Sequence, residues 1–270
     1  MEDNPVTGQR AGEPLEGAVF EITRARSGSV VGHIVTDARG IAASGPLPLG
    51  RYYVTEVSAP AYFQVSGEKM EAEIEYVGQI VKLSAYNKAA TLGVTIKKTG
   101  NYEVQPGQVM YYNFSGIGNG SNVALNNFYW HDRIPTDATR GISITTGTYN
   151  QRLYYKVTFK TNVNDYRTLA SNLLTTNNYS LSLNATTLGL VQGEYVTDVR
   201  FEFGTVPSGF ESVVKPTMRV QVLGTVSNGY QIINRADVGG QYLNEWQTAR
   251  ANWVTTVFRF QNSYLPKTGY

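Results

Sequence analysis

The sequence contains no cysteine and only two histidines in 270 residues. Disulfides and thiolate metal sites are therefore excluded. Imidazole chemistry is reduced to His33 and His131, which lie far apart and lack the paired spacing of a metal site or a nucleophilic triad. Charge is sparse as well: Asp, Glu, Lys and Arg make up 16% of the chain, are mixed in sign and leave a net charge of +2. With no run of either sign, nucleic acid and membrane surfaces are not expected partners. No apolar run reaches the length of a membrane span, and no signal peptide precedes residue 1. The Gly-rich stretch "GIGNGSN" (116–122) lacks the Lys-Ser/Thr of a phosphate loop, and no cofactor is implied.

What is abundant points one way. The 19 Tyr and 27 Gly, with many Thr and Val, favour strands and turns over helices. Residues 1–89 read as short period-two strands, "GAVFEITRA", "VVGHIVTDARG", "LGRYYVTEVSAP", "MEAEIEYV" and "QIVKLSAYN", separated by Gly, Pro or Asp. "KAATLG" (88–93) reads as a linker, and a second strand series begins at Val94. Only "DYRTLASNLL" (165–174), with Leu169 and Leu173 four apart, reads as a helix. The expected fold is mainly β: two β-sandwich domains in tandem over 1–89 and 90–264, the second larger, followed by a tail over 265–270. Met1 followed by "EDNPVTGQ" reads as a cut inside a longer chain, so an upstream strand is expected.

Three stretches of the first domain, "PLEGAVFEI" (14–22), "TDARG" (36–40) and "LGRYYVTEVSAP" (49–60), resemble the prealbumin-like, collagen-binding-protein B-type repeats of Gram-positive surface proteins. The family usually continues Ala-Pro-x-Gly-Tyr, whereas Tyr62 and Phe63 follow Ala61 here. The second domain is similar to fimbrial isopeptide-forming domains through "VTIKKTG", "NNFYWHDRIP" and "FRFQN". Leu265-Pro266-Lys267-Thr268-Gly269 resembles the sortase sorting signal Leu-Pro-x-Thr-Gly. These resemblances imply immunoglobulin-like or prealbumin-like sandwiches and an extracellular, cell-wall-anchored chain cut by sortase between Thr268 and Gly269. Thr268 would then be joined to peptidoglycan or to another pilin subunit.

An isopeptide bond between Lys and Asn needs a neutral amine, supplied by desolvation in an apolar core, and a buried acid that polarises the carboxamide and shuttles protons. Strand alternation offers such a set. Lys98 shares a face with Val94 and Ile96; Asp132 shares one with Phe128, Trp130 and Ile134; Asn262 falls in phase with Val254, Thr256, Phe258 and Phe260. Each alone is an ordinary strand-end polar residue. Together they make Lys98 the expected nucleophile, Asn262 the electrophile and Asp132 the acid/base, with Lys97 the substitute if a bulge shifts the register. The bond would close most of the domain into one loop, a constraint worth up to about 5 kcal/mol.

In the first domain, Glu56 is in phase with Tyr52 and Val54, and Asn87 with Val81, Leu83 and Ala85. The resemblance implies Glu56 as acid and Asn87 as acceptor, but residues 1–13 contain no lysine, and Lys69, Lys82 and Lys88 are misplaced. No completed cross-link is expected there, and an exposed sheet edge is. His131 is out of phase with Asp132 and is expected to face solvent, as are Asp198 and Glu202. The leading expectation is a non-enzymatic surface protein or minor pilin subunit; "VVKPT" (213–217) departs from the Tyr-Pro-Lys pilin motif. The alternative is an adhesin gripping a host matrix protein or glycan through aromatics such as Trp246, Trp253, Tyr111 and Tyr112. A paired-carboxylate hydrolase site cannot be assembled.

Overall fold

The computed structural model describes residues 3–259, and among them every regular element is a strand. The chain divides into two compact units, 1–91 and 92–270.

The first unit contains β1 (Val19–Arg24), β2 (Val30–Val35), β3 (Gly50–Ser58), β4 (Phe63–Gln64), β5 (Lys69–Ile74) and β6 (Lys88–Ala89). Four of these form an antiparallel sheet in the order β2-β1-β3-β5, and β4 pairs with β6. Alternation along β1 and β3 turns Phe20, Ile22, Tyr52 and Val54 inward, where they pack with Ala18. The Tyr52 hydroxyl donates to Pro48 O at 2.6 Å, which satisfies its polar end inside the core. One expected strand does not form: residues 79–87 join no ladder, and pairing begins only at Lys88. Period-two patterning marks which face would be buried, but a strand also needs a neighbour, and none of the described residues supplies one.

The second unit begins with β7 (Val94–Gly100), β8 (Glu103–Val104), β9 (Val109–Asn119), β10 (Leu125–Arg133), β11 (Thr139–Thr145), β12 (Thr148–Tyr149) and β13 (Tyr154–Thr161). It continues with β14 (Arg167–Leu174), β15 (Ser180–Ser182), β16 (Val196–Val206), β17 (Ser212–Val214), β18 (Thr217–Val222), β19 (Gln231–Tyr242) and β20 (Glu245–Val257). A seven-stranded sheet, β14-β13-β16-β10-β19-β20-β8, and a five-stranded sheet, β15-β11-β18-β9-β7, share one apolar core. Trp130 lies at its centre without solvent exposure, stacked 4.1 Å from Phe201 and with the tilted ring of Phe114 at 4.8 Å.

The helix expected over 165–174 is instead the edge strand β14. Leu169 and Leu173, four apart, share a face in a regular strand as they do in a helix, so their spacing does not distinguish the two. Tyr155 faces Leu173 and Val157 faces Ala170, so two residues of β14 oppose one of β13, and Asn172 takes φ +55°. The extra residue shifts the side-chain phase and brings Ala170 and Leu173, three apart, to the same face.

The Trp130 indole donates to the Tyr149 hydroxyl at 2.9 Å, and both side chains are buried. Tyr149→Phe leaves that N–H without a partner and should cost about 1–3 kcal/mol in denaturant unfolding. A change below about 0.5 kcal/mol would show that the bond contributes nothing net.

Candidate functional site

Three side chains meet in the core of the second unit. Lys98 comes from β7 in the five-stranded sheet; Asp132 and Asn234 come from the neighbouring strands β10 and β19 of the seven-stranded sheet. The Lys98 amine donates both to Asp132 Oδ1 and to Asn234 Oδ1, and Asn234 Nδ2 donates to Asp132 Oδ2 at 3.2 Å. The side chains of Lys98 and Asp132 have no exposed surface, and Asn234 is fully buried. The rings of Phe114 and Tyr112 stand 4.4 and 4.9 Å from the amine. Desolvation pushes the Lys98 pKa below its ordinary value, and the charge and hydrogen bond of Asp132 offset that only in part.

Alternation explains the meeting. Ile96 and Lys98 point inward on β7 while Lys97 is exposed; Phe128, Trp130 and Asp132 point inward on β10. The third member differs from the sequence expectation. Asn262 lies outside the described residues, and the phase used to choose it is reversed at 254–258. Thr255 and Val257 are buried there, whereas Val254 and Phe258 are exposed. The inner face of β20 carries Ala249, Ala251, Trp253, Thr255 and Val257, and the bulky Val254 and Phe258 fall on the other. Asn234 was legible by the same test, because Ile232, Asn234, Ala236 and Val238 share a face in "QIINRADV", a stretch not recognised as a strand.

In the first unit, Asn87 Nδ2 donates to Glu56 Oε1 and Oε2 at 2.7 and 2.8 Å and to Gln64 O at 3.1 Å, and both side chains are buried. Glu56 also accepts from the Ser66 amide. Among the described residues no lysine amine reaches this pair. Lys82 and Lys88 are exposed, and Lys69 sits over the Tyr53 ring at 3.7 Å.

His131 does not face solvent as expected. It is 6% exposed on the outer side of β10, between strands that each present a carboxylate. Nε2 lies 2.8 Å from Asp198 Oδ1 and Nδ1 lies 3.3 Å from Asp237 Oδ1, while the Tyr166 hydroxyl is 3.1 Å from Nε2. Arg133 donates to Asp237 at 2.7 Å. Burial alone would lower the His131 pKa, but its bonds to Asp198 and Asp237 outweigh this and raise it above 6.5. Asp198 and Asp237, against their own desolvation, are held below 3.8 by the imidazole.

Residues 6–89 match the SpaA prealbumin-like fold domain. No curated protein matches the chain. Among solved structures, it is similar to the major pilin subunit BcpA of Bacillus cereus in its D312A form, with 16% identity over 92% of this chain and 66% of that one, TM-score 0.34. It is also similar to the major pilin SpaD of Corynebacterium diphtheriae, with 19% identity over 91% and 62%, TM-score 0.27. The collagen-binding domain of a Staphylococcus aureus adhesin matches with 15% identity over 62% of this chain and 99% of that one, TM-score 0.30. The chain spans about two thirds of the length of these pilins or slightly less. The architecture is that of tandem β-sandwich domains, the first of prealbumin type. No helix among the described residues is long and apolar enough to cross a membrane.

The His131 cluster gives a pH signature. A raised imidazole pKa stabilises the fold fully below the unfolded value of 6.5, and that contribution fades as pH rises through the folded value. The lowered carboxylates contribute above 3.8 and lose their contribution in acid. The stability difference between wild type and His131→Gln, followed by denaturant unfolding across a pH series, should therefore peak between those values and shrink toward about pH 8. A flat difference would contradict an ionic role for this cluster.

Proposed function

We propose that this chain is a structural surface protein, of pilin or wall-anchored type, whose second unit cross-links itself through Lys98 and Asn234 with Asp132 as proton carrier. The observation that carries the reading is the mutual contact of amine, carboxyl and carboxamide in a solvent-free core. A buried ion pair of this kind is costly as a purely stabilising device, because desolvation of two charges offsets their attraction. As the reactants of amide formation, the same three groups are correctly matched.

Passing a proton from Lys98 to Asp132 leaves a neutral amine and a carboxylic acid. The amine lone pair adds to Cγ of Asn234, and the tetrahedral intermediate then breaks its Cγ–Nδ2 bond. Asp132, already hydrogen-bonded to Nδ2, supplies the proton that lets this nitrogen leave, with a second proton coming from the attacking amine. The protonated amine and the carboxamide become one amide plus ammonium, and Asp132 ends as the carboxylate it began as; the chain is lighter by one ammonia. The event turns over once, so the protein is not an enzyme. Attachment through Leu265–Gly269 by sortase, to peptidoglycan or another subunit, completes the reading, and the SpaA-type match of the first unit supports the surface role. In the first unit Glu56 and Asn87 offer acid and acceptor with no amine beside them among the described residues, so one cross-link is expected and not two.

The intact mass of the denatured chain should be one ammonia below the sequence mass. Lys98→Ala, Asp132→Ala and Asn234→Ala should restore the full mass, and Asn262→Ala should not. Restoration by Asn262→Ala alone would return the electrophile role to that residue, and an undiminished wild-type mass would sink the cross-link. Asn234→Ala should also lower Tm by on the order of 10 °C or more, given a loop of about 5 kcal/mol in a domain of this size.

Sortase acting on the full chain with a glycine nucleophile should release Gly269-Tyr270 and leave a new bond at Thr268. Substitution of Pro266 by Ala should abolish the exchange, and an unaltered C-terminus in the unsubstituted chain would contradict the sorting role.

A further inference from the structure

The outer face of the seven-stranded sheet carries an open groove of about 580 Å³ that runs across the strands from β20 to β14. Two irregularities shape it. On β10 the ladder breaks between Leu125 and Tyr129, with Asn127 at φ +50°; on β14 it breaks at Asn172. Such bulges bend and twist a sheet, so an otherwise flat face becomes concave.

Aromatic surface is exposed inside this groove. Trp246 is 49% exposed, and its ring lies 6.3 Å from that of Tyr129; Tyr154, 63% exposed, stands on the opposite rim. Tyr129 lies flat because its neighbour on β19 is Gly239, where a Cβ would sit 2.6 Å from the ring. Water-exposed aromatic faces in a concave site are a recurring feature of ligand pockets.

The charge in the groove is uneven. Lys156 and Glu202 pair at 3.1 Å, and Glu202 also accepts from Thr158 at 3.0 Å, so these charges are matched. Arg200 is not matched. Its guanidinium stacks 4.2 Å from the Tyr129 ring, Nε is buried without a hydrogen-bond partner, and among the described residues no carboxylate lies within ion-pair distance. A planar fork of donors beside an apolar ring face fits a ligand that brings a carboxylate on a flat, partly apolar ring.

We propose that this groove binds a carboxylate-bearing saccharide, its C–H face on Trp246 and its carboxylate on Arg200, whose guanidinium the Tyr129 ring holds in place. The site is independent of the Lys98 cross-link, which lies on the other face of the same sheet. The side chains of Ser171 and Asn172, at the β14 end, supply a hydroxyl and an amide for ring hydroxyl groups.

The test uses the full chain titrated with sialyllactose and with a hyaluronan tetrasaccharide, lactose serving as the neutral control, read by ligand-observed NMR and tryptophan fluorescence. At least one acidic sugar should bind saturably and about tenfold or more tighter than lactose, and Trp246→Ala and Arg200→Gln should each weaken it about tenfold, a loss near 1.4 kcal/mol. Unchanged unfolding midpoints in both variants would show that the loss is local; should either variant be destabilised, Gly239→Ala, which displaces Tyr129, must weaken binding to a similar degree. No saturation by either acidic sugar, equal binding of lactose, or binding that survives the substitutions overturns the assignment.

Discussion

A lysine amine without exposed surface, facing one carboxylate and one carboxamide between two aromatic rings, is the constraint around which the second unit is arranged. Leaving a charge in such a place without partners costs several kcal/mol, so β7, β10 and β19 must all keep their register for the fold to persist. A slip of one residue in any of them would turn its polar group to the outer face and leave the other two unmatched. The register shift opposite Thr95–Lys97 is taken up by the extra residue on β9, between Ser115 and Gly118, so β7 keeps its alternation and Lys98, not Lys97, enters the core.

The contacts also set what a bond here would do mechanically. Lys98 lies on the edge strand of one sheet and Asn234 near the middle of the other, 136 residues away. A covalent link would tie the two layers of the sandwich through their shared core and close most of the unit into a loop. Tension reaching β7 would pass into β19 without shearing the strands between. Such a device suits a chain without cysteine, in which no disulfide can serve. The first unit holds a buried acid and carboxamide in direct contact but, among its described residues, no amine beside them. The two units thus share a buried acid in contact with a carboxamide, and among the described residues the second alone adds a lysine amine.

Much of this was legible in the sequence because period-two alternation encodes burial directly. It placed Lys98, Asp132 and Glu56 on inner faces, where they are buried; Asn87 is buried too, but by its bonds to Glu56 and Gln64, since Val81 and Leu83 in phase with it are exposed and no strand forms there. The reading failed where alternation alone does not decide. On β14 the spacing of Leu169 and Leu173 fits a strand and a helix equally, so periodicity could not choose between them. On β20 the inward face carries Ala249, Ala251, Trp253, Thr255 and Val257, the opposite of the face used to choose Asn262, because Val254 and Phe258 stand exposed on the outer one. His131 is out of phase with the core yet buried, because tertiary partners on β16 and β19 cover it. Contacts between strands far apart in sequence, such as those to Asn234, leave no local trace beyond the polarity of one inward residue.

The most direct test of the central claim is tandem mass spectrometry of a tryptic digest of the denatured protein. The account predicts one branched peptide in which the segment containing Lys98 is joined to the segment containing Asn234, with no cleavage after Lys98. Linear peptides covering both residues, with ordinary cleavage at Lys98 and an unmodified Asn234, would contradict it.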